Sequence, residues 1–167
     1  MAGSLNYGFV NAFMETVSAV TADPSVELGC RRVENSKEYC YAYNSGSQDA
    51  TVGYGVVCSG LSSYSMSLSS AIGDQLFGVV QSVAIPSSSY GWLLTRGVCT
   101  VVNGTSDGTH IGEGGVTGGG KPLVLGAMGT FYQISTGLTN STWKVACGTP
   151  IEDITSGSSG KAYINCK

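Results

Sequence analysis

The run of residues 77–99, FGVVQSVAIPSSSYGWLLTRGVC, decides the fold class of this chain. Its two apolar ends are typical of β-strands. The Pro-Ser sequence between them is typical of a turn, because proline fixes φ and serine hydrogen-bonds to nearby backbone. The turn recurs near the C-terminus, since Gly91 follows Ile85 by six positions and Gly160 follows Ile154 by six. A hairpin-like unit used twice, without catalytic residues, favours a structural or binding protein.

The composition favours an all-β domain with many tight turns. The 167 residues suit one compact domain, or one domain plus an ordered arm. Charged residues make up 11% of the chain, against roughly 25% in an average globular protein, and 42% is hydrophobic, which is enough to form a core. With 25 glycines and many serines, the sequence predicts a small antiparallel sandwich or barrel.

Short apolar runs with period two support this prediction. Tyr39, Tyr41 and Tyr43 share one face of a strand, and residues 64–68 alternate between apolar and serine. The pattern indicates roughly nine to eleven short strands at the turn spacing of sandwiches and barrels. Residues 103–122 read as a glycine-rich loop.

Residues 1–26 differ from the β-rich body at 27–167. The alternation of Tyr7 and Phe9 indicates an extended piece, whereas the spacing from Val10 to Val20 fits a short helix, and the sequence leaves both open. We expect an arm that contacts neighbouring molecules. Its contact residues are Leu5, Tyr7, Phe9, Val10, Phe13, Met14 and Val17.

The charge distribution bears on possible partners. The net charge is −3 with only eight Lys and Arg, so no basic stripe for nucleic acid is present. Between Asp49 and Arg96 the only charged residue is Asp74. Such a surface is either covered by a partner or neutral and rich in Ser, Thr and Asn. No signal peptide and no membrane-spanning segment is expected, which predicts synthesis in the cytosol.

The six cysteines allow two interpretations. Without a secretory signal we expect free thiols buried in strands as small hydrophobic groups. Disulfides stay open if the mature particle ends up outside the cell. The chain has no CxxC pair and one histidine, His110, so neither a metal nor another cofactor is expected.

The sequence predicts no enzyme. A GxSxG elbow is missing, and His110 lies in the glycine-rich loop. Glu152 and Asp153 are adjacent, so on a strand their carboxylates would point to opposite faces. Trp92 and Trp143 are compatible with a sugar-stacking platform, although core packing and cross-strand pairing are the preferred interpretation.

The segment from Gly78 to about Gly115 resembles a pattern in small head proteins of tailed bacteriophages, the capsid decoration or cement proteins. In that pattern an apolar strand ends in Ile-Pro or a similar pair, and a short Ser/Gly turn follows. Next come Tyr-Gly-Trp with a short apolar strand, a separate Gly-Val strand and a glycine-rich loop. Residues 28–42 are similar to the opening strand pair of the same proteins. The motif residues here are Ile85, Pro86, Tyr90, Gly91, Trp92 and Gly97.

The resemblance implies a β-tulip-like domain on the capsid surface of a virion, made in the host cytoplasm. Its partner would be the major capsid protein, and it would act as a homotrimer or another homo-oligomer, with the motif residues as scaffold. The alternative is a glycan- or receptor-binding β module on the virion surface or on a fibre.

Overall fold

The computed structural model describes residues 16–60, 63–104, 122–133 and 146–166. These residues form β-strands and one short 3-10 helix at Ala127–Gly129, which confirms the predicted all-β fold. The strands are β1 (Val20–Thr21), β2 (Arg31–Glu34), β3 (Lys37–Asn44), β4 (Gly55–Gly60), β5 (Ser65–Leu68), β6 (Leu76–Val80), β7 (Tyr90–Val102), β8 (Leu123–Leu125), β9 (Phe131–Gln133), β10 (Gly148–Pro150) and β11 (Ser159–Asn165).

Strands β3 to β7 pair into a closed ring, which we call the first unit. β3 pairs with β5 in parallel. The antiparallel pairs β5–β4, β4–β6, β6–β7 and β7–β3 complete the ring. Each strand of the ring therefore has a hydrogen-bonded neighbour on both sides, as in a closed barrel.

Strands β7 to β11 form a second unit with the same topology. β7 pairs with β11, β11 with β10, β10 with β8, and β8 with β9, all antiparallel. A parallel bridge between Asn103 and Phe131 closes the ring, at the place where β3 and β5 meet in the first unit. The chain is therefore a tandem repeat of one five-stranded arrangement, and β7 belongs to both copies.

The repeated turn seen in the sequence lies at the same place in both units. Ile85 precedes β7 and Ile154 precedes β11, and each forms an isolated bridge before a two-residue turn. Gly91 then pairs with Ala42, as Gly160 pairs with Val101. The sequence signal thus marks the entry to the last strand of each unit. The preceding strand β6 ends at Val80, earlier than the run of apolar residues indicated.

β7 is one strand of 13 residues, although the sequence pattern indicated two. Its register against β3 shifts by one residue, because Glu38 faces Arg96 while Tyr39 faces Leu94. Such a bulge reverses the alternation of side chains along a strand. The extra residue is Thr95, and Gly97, two positions further on, has a φ of 125° that glycine adopts readily. As a result, the outer face of the first unit continues as the inner face of the second.

Two hydrophobic clusters follow from this geometry. The inside of the first unit is small and holds residues such as Val56, Met66 and Leu93. A larger cluster joins the outer face of the first unit, including Tyr41 and Trp92, to the inside of the second unit. The shared strand therefore packs the two units into one body.

Candidate interaction surfaces

The outer face of the first unit, which we call the aromatic layer, is formed by three aromatic side chains and one leucine: Tyr39, Tyr41, Trp92 and Leu94. These positions on β3 and β7 are opposite one another, and the rings of Tyr41 and Trp92 lie 5.2 Å apart. Tyr41 is fully buried and Trp92 is 3% exposed. The face is therefore covered, and Trp92 cannot offer its ring to a sugar.

Residues 16–30 of the same chain form one part of the cover, and the inside of the second unit forms the other. Val17 and Leu28 pack against the cluster that contains this face, and Val26 is buried in it. The Tyr41 hydroxyl accepts a hydrogen bond from the Ser25 backbone N–H at 3.3 Å and lies 3.2 Å from the Thr21 hydroxyl. Since β1 also pairs with β7, this segment is tied to the body by apolar packing and by hydrogen bonds.

The predicted scaffold residues form a connected group around the turn. Ile85 is buried and exchanges two backbone hydrogen bonds with Ala50, while Pro86 is exposed at the start of the turn. A Cβ atom added at Gly91 would lie 2.7 Å from Ile85 Cδ1, so the isoleucine packs directly on that glycine. Tyr90 stacks at 6.2 Å from Tyr41, beside Trp92. Gly97 lies apart, next to Lys37.

The outer face of the second unit lies on β7, β10 and β11. Val98 and Tyr163 are directly opposite each other, and Ile151 lies beyond Lys161 on the same side. Val98 is 41% exposed, Tyr163 39% and Ile151 49%. This surface was not predicted. The repeated turn offered a signal, because counting from each isoleucine places Tyr163 where Leu94 stands in the first unit.

A cavity of about 460 Å³ is lined by residues of β2, β3, β4, β6 and β7. This volume falls in the range of small-molecule pockets. The Glu38 carboxylate at its edge is bound by the Arg96 guanidinium at 3.0 Å. The lining includes Arg31, Glu38, Cys40, Cys58, Phe77 and Cys166.

All six cysteines are free thiols in the structure. Burial raises the pKa of Cys40 to about 11, and it raises the pKa values of Cys99 and Cys147 to about 12. Burial likewise raises the pKa of Cys166. A thiol that stays protonated at neutral pH is a poor nucleophile and a poor metal ligand. Cys40, Cys99, Cys147 and Cys166 therefore act as packing groups.

Several predicted residues fall outside the described part of the chain. They are the arm residues Leu5, Tyr7, Phe9, Val10, Phe13 and Met14, and also His110 and Trp143. Val17 is described and packs on the chain's own core. Within the described residues, no cluster of three His, Cys, Asp or Glu side chains is placed to hold a metal ion. Those residues also contain no helix with the length and hydropathy needed to cross a membrane.

The fold is similar to that of a phage head fiber base. The crystal structure of the N base of head fiber gp8.5 in bacteriophage phi29 superposes with a TM-score of 0.53 and 12% sequence identity. The match covers 77% of this chain and 96% of the phi29 chain. No family model and no curated protein matches the sequence. At this identity the similarity concerns the fold.

Proposed function

We propose that this chain is a virion structural protein of a bacteriophage head: a decoration (cement) protein that bridges and stabilises major capsid proteins at the capsid surface. The observation that carries the proposal is the similarity of fold to the phi29 head fiber base over 77% of the chain. The sequence resemblance to small phage head proteins points to the same class independently of that comparison.

The work of such a protein is mechanical. Packaged DNA presses on the shell, and the seams between capsid proteins are its weak places. Each apolar contact across a seam adds about 25 cal/mol per Å² of apolar surface removed from water. Because many copies bind around one shell, the small free energy gained at each interface adds up. A protein with 11% charged residues has much neutral surface available for such contacts.

The same proposal includes the oligomer and the arm. A homotrimer fits local three-fold sites of a shell, and residues 1–15 precede the part of the chain that packs on its own body. An extended segment binds a neighbour's sheet through backbone hydrogen bonds without a preformed pocket. The buried position of Trp92 weighs against the alternative of a glycan-binding module that uses this residue.

Truncation tests the proposal. Deletion of residues 1–15, and no more, leaves Val17 and strand β1 in place, so the body is expected to stay folded. Co-sedimentation with capsids of the phage that encodes this chain should show binding by the full chain and weaker binding by the truncated chain. The thermal transition of the truncated chain is the control for folding. If the full chain does not sediment with capsids, the decoration function is wrong, whereas equal binding by both chains contradicts only the role of the arm.

A further inference from the structure

We infer that the outer face of the second unit is a docking surface for residues 1–15 of a neighbouring copy of this chain. The face is defined by Val98, Tyr163 and Ile151. The inference adds a specific contact to the proposed function. It rests on that function in one respect, because it requires several copies of the chain to be neighbours on the capsid.

The first step is the equivalence of the two units. Trp92 and Leu94 on β7 occupy the positions that Lys161 and Tyr163 occupy on β11, because both pairs follow the same turn and the same register. Leu94 is fully buried, yet Tyr163 is 39% exposed. Two faces with the same strand register thus differ in exposure, and in the second Lys161 and Thr100 replace the pair Trp92 and Tyr41.

The second step is the nature of the cover on the first unit. Part of it is supplied by residues 16–30, which begin directly after residues 1–15. Val26 is buried in the cluster that contains the aromatic layer, and Val17 packs against that cluster. The Tyr41 hydroxyl accepts a hydrogen bond from the Ser25 backbone N–H of the segment. This fold therefore buries an outer face by laying an N-terminal segment across it.

The third step is the identity of the occupant. Residues 1–15, MAGSLNYGFVNAFME, carry six large apolar side chains after the first residue and only one charged side chain, Glu15. Fifteen extended residues span at most about 50 Å. That is enough to reach from one molecule to the next. A segment so poor in charge gains free energy by covering the apolar side chains of this face, at about 25 cal/mol per Å² of apolar surface buried.

Topology favours a neighbouring copy over the chain's own arm. The bulge in β7 places the outer faces of the two units on opposite sides of the shared strand. The segment that follows residues 1–15 lies at the first unit's outer face, where Thr21 and Ser25 contact the Tyr41 hydroxyl. A segment leaving there would have to pass around the sheet to reach Val98 and Tyr163 of its own chain, whereas a neighbour can present that face directly.

A binding assay tests the surface. A fluorescein-labelled peptide of residues 1–15 is titrated with the chain lacking those residues, and fluorescence anisotropy is measured. We expect saturable binding that Val98→Asp or Tyr163→Asp weakens about tenfold or more, a loss of roughly 1.4 kcal/mol or more. Ile72→Asp is the matched control, because Ile72 is 54% exposed and lies outside this face. Absence of binding, or an equal loss for all three variants, overturns the inference.

Cross-linking identifies the occupant even if an aspartate variant fails to fold. The full chain carries the photo-reactive residue p-benzoylphenylalanine at position 163, and isotope-labelled and unlabelled copies are mixed. Mass spectrometry should find residues 1–15 of one copy joined to position 163 of another. Links within a single copy, links only to a capsid protein, or no links to residues 1–15 each overturn the inference.

The outcomes also separate this inference from the proposed function. Peptide binding by a chain that does not sediment with capsids supports the docking surface and rejects the decoration function. Capsid binding by a chain that does not bind the peptide rejects the docking surface alone.

Discussion

The side chain of Asn103 donates a hydrogen bond to the carbonyl oxygen of Ile154 at 2.9 Å, across 51 positions of the chain. Asn44 makes the same contact with Ile85 in the first unit, also at 2.9 Å. In each case the backbone N–H of the asparagine donates to the residue four positions after the isoleucine. Both asparagines are 1% exposed. One buried amide thus fixes the turn that leads into the last strand of each unit.

Substitution of either asparagine should destabilise its unit. Asn103→Ala removes the donor and leaves the Ile154 carbonyl buried without that partner, which costs about 1–3 kcal/mol. Asn103→Asp should cost more, because a carboxylate accepts hydrogen bonds and cannot donate one to a carbonyl. Asn44→Ala and Asn44→Asp should follow the same order. Urea unfolding gives these free energies, and a change below about 0.5 kcal/mol for Asn103→Ala would contradict the role of the amide.

The sequence contained part of this arrangement. The six-residue spacing from Ile85 to Gly91 and from Ile154 to Gly160 correctly predicted a repeated turn, since the close packing of isoleucine on glycine is local. The asparagines escaped prediction because they lie 41 and 51 positions before their isoleucines. The two separations differ by the length of the intervening loops, so no fixed period connects them.

The shared strand shows a second limit. Gly97 interrupts the apolar pattern of β7, and sequence periodicity therefore divided it into two strands. In the structure β7 is one continuous strand with a bulge. Side chains on the face that points outward in the first unit are followed, after the bulge, by side chains that point into the second unit. Whether Tyr163 is covered depends on this change of face and on which segment lies across each unit. Both are tertiary properties that local patterns do not encode, whereas the aromatic face of Tyr39 and Tyr41 was readable from period two alone.

The packing of isoleucine on glycine gives a second prediction. A Cβ atom at position 160 would lie 2.6 Å from Ile154 Cγ1, so Gly160→Ala should destabilise the chain by about 1–3 kcal/mol through overpacking. Combining it with Ile154→Ala, which removes the contacting atoms, should cost less than the sum of the two single variants. A double-mutant cycle measured by urea unfolding checks this coupling. Strict additivity would show that the two residues do not press on each other.

The third residue after each isoleucine, which lies in the turn, gives a third prediction. Ser88 has φ 59° and its counterpart Gly157 has φ 71°, so both adopt the left-handed conformation. That conformation costs a residue with a side chain about 1 kcal/mol or more. Ser88→Gly should therefore raise the free energy of unfolding, and Gly157→Ser should lower it, with no steric clash because nothing lies within 4 Å of a Cβ there. Ser82→Gly, at an ordinary φ, is the control and should not stabilise. Equal effects at Ser82 and Ser88 would reject the conformational explanation.

The buried thiols make stability fall in alkaline solution. Burial raises the pKa of Cys99 from 9.0 to about 12 in the folded chain, whereas the unfolded chain releases the proton near the ordinary value. The stabilisation by the neutral thiol is fully present below about pH 9 and is lost as pH rises toward 12. The loss amounts to at most about 1.4 kcal/mol per pH unit for one thiol.

Urea unfolding of the reduced protein between about pH 8 and pH 11 measures this loss. Cys99→Ser removes the titrating group, so the stability difference between the wild type and this variant should shrink as the pH rises. Val101→Ala serves as the control, because Val101 is buried on the same strand and does not titrate, and its stability difference should stay constant. A Cys99→Ser difference that is equally constant would mean that the thiol titrates alike in the folded and unfolded chains. In that case Cys99 is not enclosed in the core that joins the two units.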